Sequence, residues 1–538
     1  MSATATAAAG PREDRAAREH RWRSGRWAWP AAYVVAAVLL FLCYLRLSGT
    51  QPVTSDPASN ALQAWDMLHG NWLLKGWTLT DVSFYTTELP EFMLVEIVRG
   101  LGPADAHIAA ALTYTLLVVL ASLVAKGRTT GQEGLVRAAI AAGIMIAPQV
   151  GHGVFIVLNA PDHTGTGVPV LLTWLVLDRA PRRRWVPVLI AGMLTWTLVA
   201  DQVALLTAVA PLALVTLIKA YQNVIQRREP VRDSWYELSL AAAAAASAAA
   251  ADLIAAAIKH LGGYTTPPAP SAFSGVEQMS THFWWTVQGV LALFGADFLG
   301  LTVDAATGLV LLHLVGLALA VTAIALGLRR FLRSDEIIAG ALTAAVLINL
   351  ALYVFSQVPV SIWSAREIAF LLPAGAALAG RTLAGPAIRA RLLPLLGVLG
   401  LGYLVGLGYG LTSQQRPAEG QDLADFLVAN HLSDGLSGYG FGPTTTLASG
   451  GTVQLRQATW LPDGISPGPE QWNSSWYNPG QHDATFVVAP VTPAPPDPFT
   501  QAQVSHIFGP PAHVYHVGTQ FIVMTYDHNL LDRSPADA

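Results

Sequence analysis

Apolar runs of helix length recur from residue 28 to about residue 412 and then stop. Such runs leave few choices, because hydrocarbon offers no water to satisfy backbone N–H and C=O groups. A helix needs about 20 apolar residues to cross about 30 Å of bilayer core. We read spans at 28–47, 106–125, 137–158, 165–178, 185–200, 203–218, 237–258, 305–328, 335–357, 367–383 and 392–412, about eleven by that length criterion. The chain is 53% hydrophobic and only 12% charged, which no ordinary soluble protein of its length would be. The fold class expected is an α-helical polytopic membrane protein with a C-terminal α/β domain.

A net charge of -4 points to neither nucleic acid nor a strongly anionic partner, so the placement of Lys and Arg carries the information. They gather in "PREDRAAREHRWRSGR", "RAPRRRW", "IKAYQNVIQRREPVRD", "RRFLRSDE" and "RTLAGPAIRAR". The positive-inside rule then puts the N-terminus in the cytoplasm, and an odd number of spans puts 413–538 outside the plasma membrane. The stretch 1–27 lacks the apolar core of a signal peptide and reads as a disordered cytoplasmic tail. "HFWWTVQGVLALFGADFLG" would reverse that charge pattern if it crossed, so it reads as an interfacial or re-entrant helix in the outer loop 259–304, with Trp284 and Trp285 at the membrane surface. Cys43 is the only cysteine, which excludes an intramolecular disulfide and a Cys-based metal site.

From 413 to 538 the chain turns polar and rich in Pro and Gly. "PAEGQDLADFLVANHL" has helical spacing, whereas "TTTLASGG", "TVQLRQATWL", "ATFVVAP" and "TQFIVMTY" read as strands. Trp472, Trp476 and Tyr477 suit either a small core, the better reading, or a sugar-stacking surface. No P-loop, GxGxxG, HExxH or GxSxG motif occurs.

The outer loop 48–105 holds the first candidate chemistry. "TSDPASNALQAWDMLHGNWLL" has amphipathic helical spacing, and Asp56 before Pro57 reads as an N-cap, with Asp66 and Asp81 solvated. "VLNAPDHTGTGVPV" is a turn between spans that carries Asp162 and His163. Asp201 ends a span that reverses at once, so a turn cap and a site role weigh equally there, and His152 reads as a core histidine. In "VPVSIWSAREIAFLLPAGAALAG", Arg366 enters a span and can pair with Glu367, snorkel, or hold a phosphate with its fork of donors. Lys259, His260 and His282, in the long loop after the Ala-rich helix, single out no role.

A first span, an acid just beyond it, an amphipathic helix and then "FYTTELPEFMLVEIVRGLGPADAHIAAALTYTLLVVLASLVA" resemble the start of the GT-C superfamily of polyprenyl-phosphate-sugar-dependent glycosyltransferases. The branch most similar contains protein O-mannosyltransferases and aminoarabinose transferases, and the "R…LLP" of Arg366 resembles a late motif of the same membrane domain. The resemblance implies a catalytic role for Asp56 as base or acceptor-orienting group, and substrate binding by Tyr85, Glu88, Asp162, His163 and Arg366. It leaves a divalent cation open as cofactor, with Glu88, Asp162 and His163 as candidate ligands. It implies a polyprenyl-phosphate sugar donor, membrane lipid around the protein, a glycan, lipid or protein acceptor, and an inverting displacement. A transporter or flippase of lipid-linked glycans and a non-catalytic glycan-binding scaffold are the alternatives; candidate groups in outer loops and no visible internal repeat argue against transport.

Overall fold

The computed structural model describes residues 31–533 apart from 270, 271, 304, 335 and 469, so the tail expected at 1–27 lies outside the described residues. The chain is a multi-pass membrane protein. Among the described residues, seven helices are long and apolar enough to cross a bilayer: Ala31–Ser48, Asp105–Lys126, Leu205–Gln226, Val231–His260, Thr307–Arg333, Ile337–Phe355 and Leu393–Leu411. An eighth is added if Ile362–Ile368 and Leu371–Leu383, bent by 51°, form one broken span.

The count falls short of eleven because several apolar runs break or stop early. The run 137–158 divides into Gly131–Met145 and His152–Leu158 around Pro148 and Gly151. Gly167–Arg179 and Trp185–Ala200 have 13 and 16 residues, short of the about 20 that a full crossing needs. The helix Met279–Leu293, with 15 residues, packs against His152–Leu158 and the Ile362–Ile368 turn rather than crossing by length.

Leu371–Leu383 is the centre of the membrane domain, every one of its residues buried. Its "AGAALAG" face lets neighbours approach closely: a Cβ on Gly380 would lie 2.3 Å from the Arg137 carbonyl, so only glycine fits there. Pro373 sits in the first turn, where its missing N–H leaves no intrahelical bond unmade. Upstream, Arg366 lies on the tighter 3₁₀ turn Ile362–Ile368, bent by 51° from this helix.

The C-terminal domain has its own core around Phe486, Val487, Val488 and Val523. Its five-stranded sheet runs in the order Gln454–Gln457, Asp434–Ser437, Phe486–Pro490, Phe521–Thr525, His513–Val517, with the first three parallel and the last two added antiparallel. "TTTLASGG", expected as a strand, is instead the helix Gly442–Ala448. Pro443 starts it, the Thr444 and Thr445 hydroxyls bond back to the Phe441 carbonyl, and Leu447 packs into the Ala58, Ala61, Phe92 and Ala106 cluster of the membrane domain. Tertiary burial overrides the β-branched propensity here.

That helix docks the domain on Ser55–Leu68, the amphipathic helix of the first loop. A two-residue antiparallel pairing of Trp77–Thr78 with Trp472–Asn473 adds a second seam. Trp476 packs edge-on against Trp77 at 5.0 Å and Tyr477 is buried in the domain core, so these aromatics serve packing. The membrane face carrying this domain is called the domain face below.

Candidate active site

The site lies on the domain face, where four chain segments converge. Asp56 stands in the first turn of Ser55–Leu68; the N-cap is Thr54, which corrects the capping role expected for Asp56. Its carboxylate turns away from the helix end. Oδ2 accepts from Arg366 Nη1 and Nη2 at 3.3 and 3.4 Å, and Oδ1 accepts from the Tyr439 hydroxyl at 2.5 Å. Arg366 Nη1 also donates to Asp162 Oδ2 at 3.0 Å, while Asn60, one turn along from Asp56, donates to Asp162 Oδ1 at 3.1 Å. One guanidinium thus joins two acids from distant loops, with 26% of its side chain still exposed.

A second cluster adjoins it through chain neighbours. His163 adopts a left-handed backbone (φ 53°) in the tight "PDHTG" turn. Its Nδ1 meets Asp201 Oδ2 at 3.0 Å and its Nε2 meets Glu367 Oε1 at 3.0 Å. Glu367, a candidate partner for Arg366 from sequence, is engaged here instead. Asp201 also accepts from the Thr166 hydroxyl and, through Oδ1, from the Val203 N–H, so it combines a turn cap with an ion pair.

The electrostatics follow from burial and these partners. Burial alone would lower the His163 pKa, but Glu367 and Asp201 outweigh it and hold the imidazole well above its ordinary value. Burial would likewise raise Asp201, yet His163 and the hydrogen bonds it receives bring it below the ordinary carboxylate value. Asp162 rises to about 6, by burial first, with Arg366 opposing and Asp56 adding. Glu88 is completely buried, pressed on the back of the same turn where a Cβ on Gly165 would lie 2.4 Å from its Oε1. Burial pushes its carboxyl well up; Thr87 donates to one oxygen, and the other has no partner among the described residues.

These contacts bear on the cation considered from sequence. Among the described residues no three His, Cys, Asp or Glu side chains converge as a metal site. Both His163 nitrogens face carboxylates, which requires the doubly protonated ring with no lone pair to offer. Glu88 faces the turn backbone, and the guanidinium lies between Asp56 and Asp162. The three candidate ligands therefore do not fit a bound cation in this arrangement.

Other candidates lie further off. Tyr85 donates to the Trp72 carbonyl at 2.7 Å and packs on Tyr264, bracing the first loop against the segment after Val231–His260 rather than facing Arg366. Asp66, expected in solvent, accepts from Asn71 and from the Trp77 indole at 2.7 Å each. Asp81, also expected in solvent, is half-buried and lines a cavity of about 520 Å³ together with Asp201, Glu367, Gln357, Asn349 and Tyr353. The Asn349 amide and Tyr353 hydroxyl are buried there with no partner among the described residues. His152 is not a core histidine: it is 42% exposed and pairs with Asp297 at 3.1 Å. His282 is buried, and Lys259 and His260 are exposed. Tyr439 was not foreseen from sequence. Its signal is a Gly-Tyr-Gly turn leaving a strand of an α/β unit at the carboxyl end, where such folds present ligand-facing groups.

No family model matches the chain, and no curated protein matches it. Among solved structures, ArnT from Cupriavidus metallidurans bound to undecaprenyl phosphate aligns over 93% of this chain and 98% of its own, at 15% identity and a TM-score of 0.56. An Archaeoglobus fulgidus oligosaccharyltransferase in complex with Zn and sulfate aligns over 84% of this chain and 67% of its own (12% identity, TM-score 0.46). The arabinofuranosyltransferase AftD from Mycobacteria aligns over 93% and 42% (14% identity, TM-score 0.38). Over nearly its whole length, the chain has the fold of ArnT.

Proposed function

We propose that this protein transfers one sugar from a polyprenyl-phosphate donor to an acceptor at the outer face of the plasma membrane. The observation that carries the reading is the Asp56–Arg366–Asp162 bridge, built where the first-loop helix meets the broken helix on the domain face. A structure of the same fold was solved with undecaprenyl phosphate, which supports a lipid-linked phosphate as the leaving group.

Arg366 is the phosphate ligand. Its fork matches phosphate oxygens and is permanently charged. In the resting arrangement it is held by two carboxylates; an arriving phosphate draws its donors away and leaves Asp56 Oδ2 with a free lone pair. The acceptor O–H or N–H then loses its proton to Asp56 while its heteroatom attacks the anomeric carbon. The bond from that carbon to the phosphate oxygen breaks, and the polyprenyl phosphate departs with the bonding electrons. One displacement inverts the anomeric centre. Asp162 and His163 border the sugar, and the 520 Å³ cavity with its unpaired Asn349 and Tyr353 groups offers hydroxyl partners.

The test uses purified protein in detergent with radiolabelled polyprenyl-phosphate sugars and a membrane extract as acceptor. Asp56→Asn is expected to lower transfer at least about a hundredfold, the range for a lost general base. Arg366→Ala is expected to weaken donor use as well. Wild-type transfer by Asp56→Asn would refute this assignment, and a donor that binds without being consumed would favour transport.

A further inference from the structure

We propose that the C-terminal domain completes the active site in cis, with Tyr439 as the positioning residue that holds Asp56 for proton transfer. The inference rests on the reading of Asp56 as the base, and it gives the C-terminal domain a part in the reaction.

Tyr439 is tied to the first-loop helix twice: its hydroxyl donates to Asp56 Oδ1, and its carbonyl accepts from the Ser55 hydroxyl at 2.6 Å. The direction of the phenol proton follows from a hydrogen-bond chain. Gln63 donates to Gln471 Oε1 at 2.7 Å, and Gln471 donates to the Tyr439 oxygen at 3.2 Å. With that lone pair occupied, the single phenolic proton is directed to Asp56. The turn that presents the ring is equally specific. Gly440 N–H donates to Asp497 Oδ2 at 2.9 Å, and a Cβ on Gly438 would come within 1.8 Å of Asp497 Oδ1. The chain wraps Asp497 at the carboxyl end of Asp434–Ser437 and projects Tyr439 across the domain boundary.

The two oxygens of Asp56 thereby differ in role. Oδ2 is released when phosphate takes Arg366 and receives the acceptor proton, while Oδ1 remains fixed by Tyr439. A donor on Oδ1 sets the plane of the carboxylate before the acceptor arrives, and a phenol O–H bonds a charged oxygen more strongly than a neutral one. The charged and titratable groups around Asp56 are Arg366 from the 3₁₀ turn, Asp162 from the Asp-His loop, and Tyr439 and Glu470 from the C-terminal domain.

The experiment measures kcat/KM against pH for the full-length protein and its variants. Tyr439→Phe keeps the ring and removes the donor; kcat is expected to fall about tenfold or more, the range for a hydrogen bond to a charged group, and the acidic limb is expected to move to higher pH. Replacing Tyr439 with 3-fluorotyrosine, a more acidic phenol of nearly the same shape, is expected to move that limb to lower pH, which keeps the test available if the Phe variant does not fold. Asn473→Ala removes a docking contact to the Lys75 carbonyl and serves as the control, with no movement of the limb. If Tyr439→Phe behaves as Asn473→Ala does, or retains wild-type activity, Tyr439 only docks the domain and the inference is overturned. If Asp56→Asn retains transfer, it is the assignment of the base that fails.

Discussion

Two arginines fifteen positions apart on one broken helix make nearly the same pairing and meet opposite fates. Arg381, on the face away from the C-terminal domain, is 6% exposed and uses its whole fork: Nε to Glu336 at 3.0 Å, Nη2 to Asp178 at 3.1 Å, and Nη1 to the Val124 carbonyl at 2.7 Å. Arg366 also bridges two acids, but only through its two terminal nitrogens, at up to 3.4 Å from Asp56 and with a quarter of its side chain open. A guanidinium engaged at all three nitrogens has little left to give a ligand. An unsaturated one held between two carboxylates is poised to exchange them for phosphate, so donor saturation, more than burial of charge, separates the structural arginine from the functional one.

The largest effects break this contrast directly. Arg381→Ala leaves Asp178 and Glu336 without their cation, and removing one partner of a buried pair costs about 3–5 kcal/mol. The expected outcome is a marked fall in folded yield and thermal midpoint, with Arg381→Lys rescuing little because a point charge cannot serve three directions. Arg366→Ala leaves the 4%-exposed Asp162 with the Asn60 amide and with a pKa already raised to about 6, so that it can take up a proton; the loss of stability should be smaller than for Arg381→Ala, while transfer falls about a hundredfold. Equal thermal losses in both variants would erase the distinction.

His163 tests whether the second cluster belongs with the structural or the functional arginine. Asp201 has no exposed side-chain surface and depends on the imidazolium for its charge. The His163 pKa is raised, so its contribution is complete below the ordinary histidine range and disappears only as pH passes the higher folded value. At neutral pH, His163→Ala should therefore destabilise, and Asp201→Asn should recover part of that loss, with a coupling of about 0.5–3 kcal/mol for residues in contact. Thermal midpoints of the two single variants and the double variant give the cycle. Strictly additive losses would mean that His163 does not hold Asp201.

How much of this could be read from the sequence depends on the range over which each signal acts. Membrane helices, the α/β character of the C-terminal domain and the strands Gln454–Gln457, Phe486–Pro490 and Phe521–Thr525 are local patterns of hydrophobicity and are legible, whereas Asp434–Ser437 and His513–Val517 are not. Asp56, Asp162 and Arg366 could each be singled out within their own segments, but not their meeting, because 310 and 204 positions separate Arg366 from its two acids. Tyr439 reaches Asp56 across 383 positions from a turn that reads only as glycine-rich. The Gly442–Ala448 helix and the break in the run 137–158 escape local patterns for a related reason: burial against another segment and interruptions by Pro148 and Gly151 decide them, while β-branched propensity and mean hydropathy do not.

The most gradual effect, spread over several pH units, sharpens the comparison by removing the cation altogether. Glu96, on the first-loop helix Glu88–Arg99, is 2% exposed, and neither of its carboxyl oxygens has a partner among the described residues. Burial, with Asp105 adding, raises its pKa from 4.5 to about 9. Below the ordinary value both folded and unfolded chains hold the proton, and pH has no effect through this group. Between the two values the unfolded chain releases a proton that the folded chain retains, so stability falls as pH rises, by at most about 1.4 kcal/mol per pH unit. Glu91, raised to about 8 by burial against the opposing bond from Thr113, acts in the same direction. Thermal midpoints followed from pH 5 to 8 should therefore decline in the wild type and decline less steeply in Glu96→Gln, which keeps the shape and cannot ionise. An unchanged slope would mean that Glu96 is already charged in the folded protein, and a buried acid without an arginine would then have to be stabilised by some group other than those seen around Arg366 and Arg381.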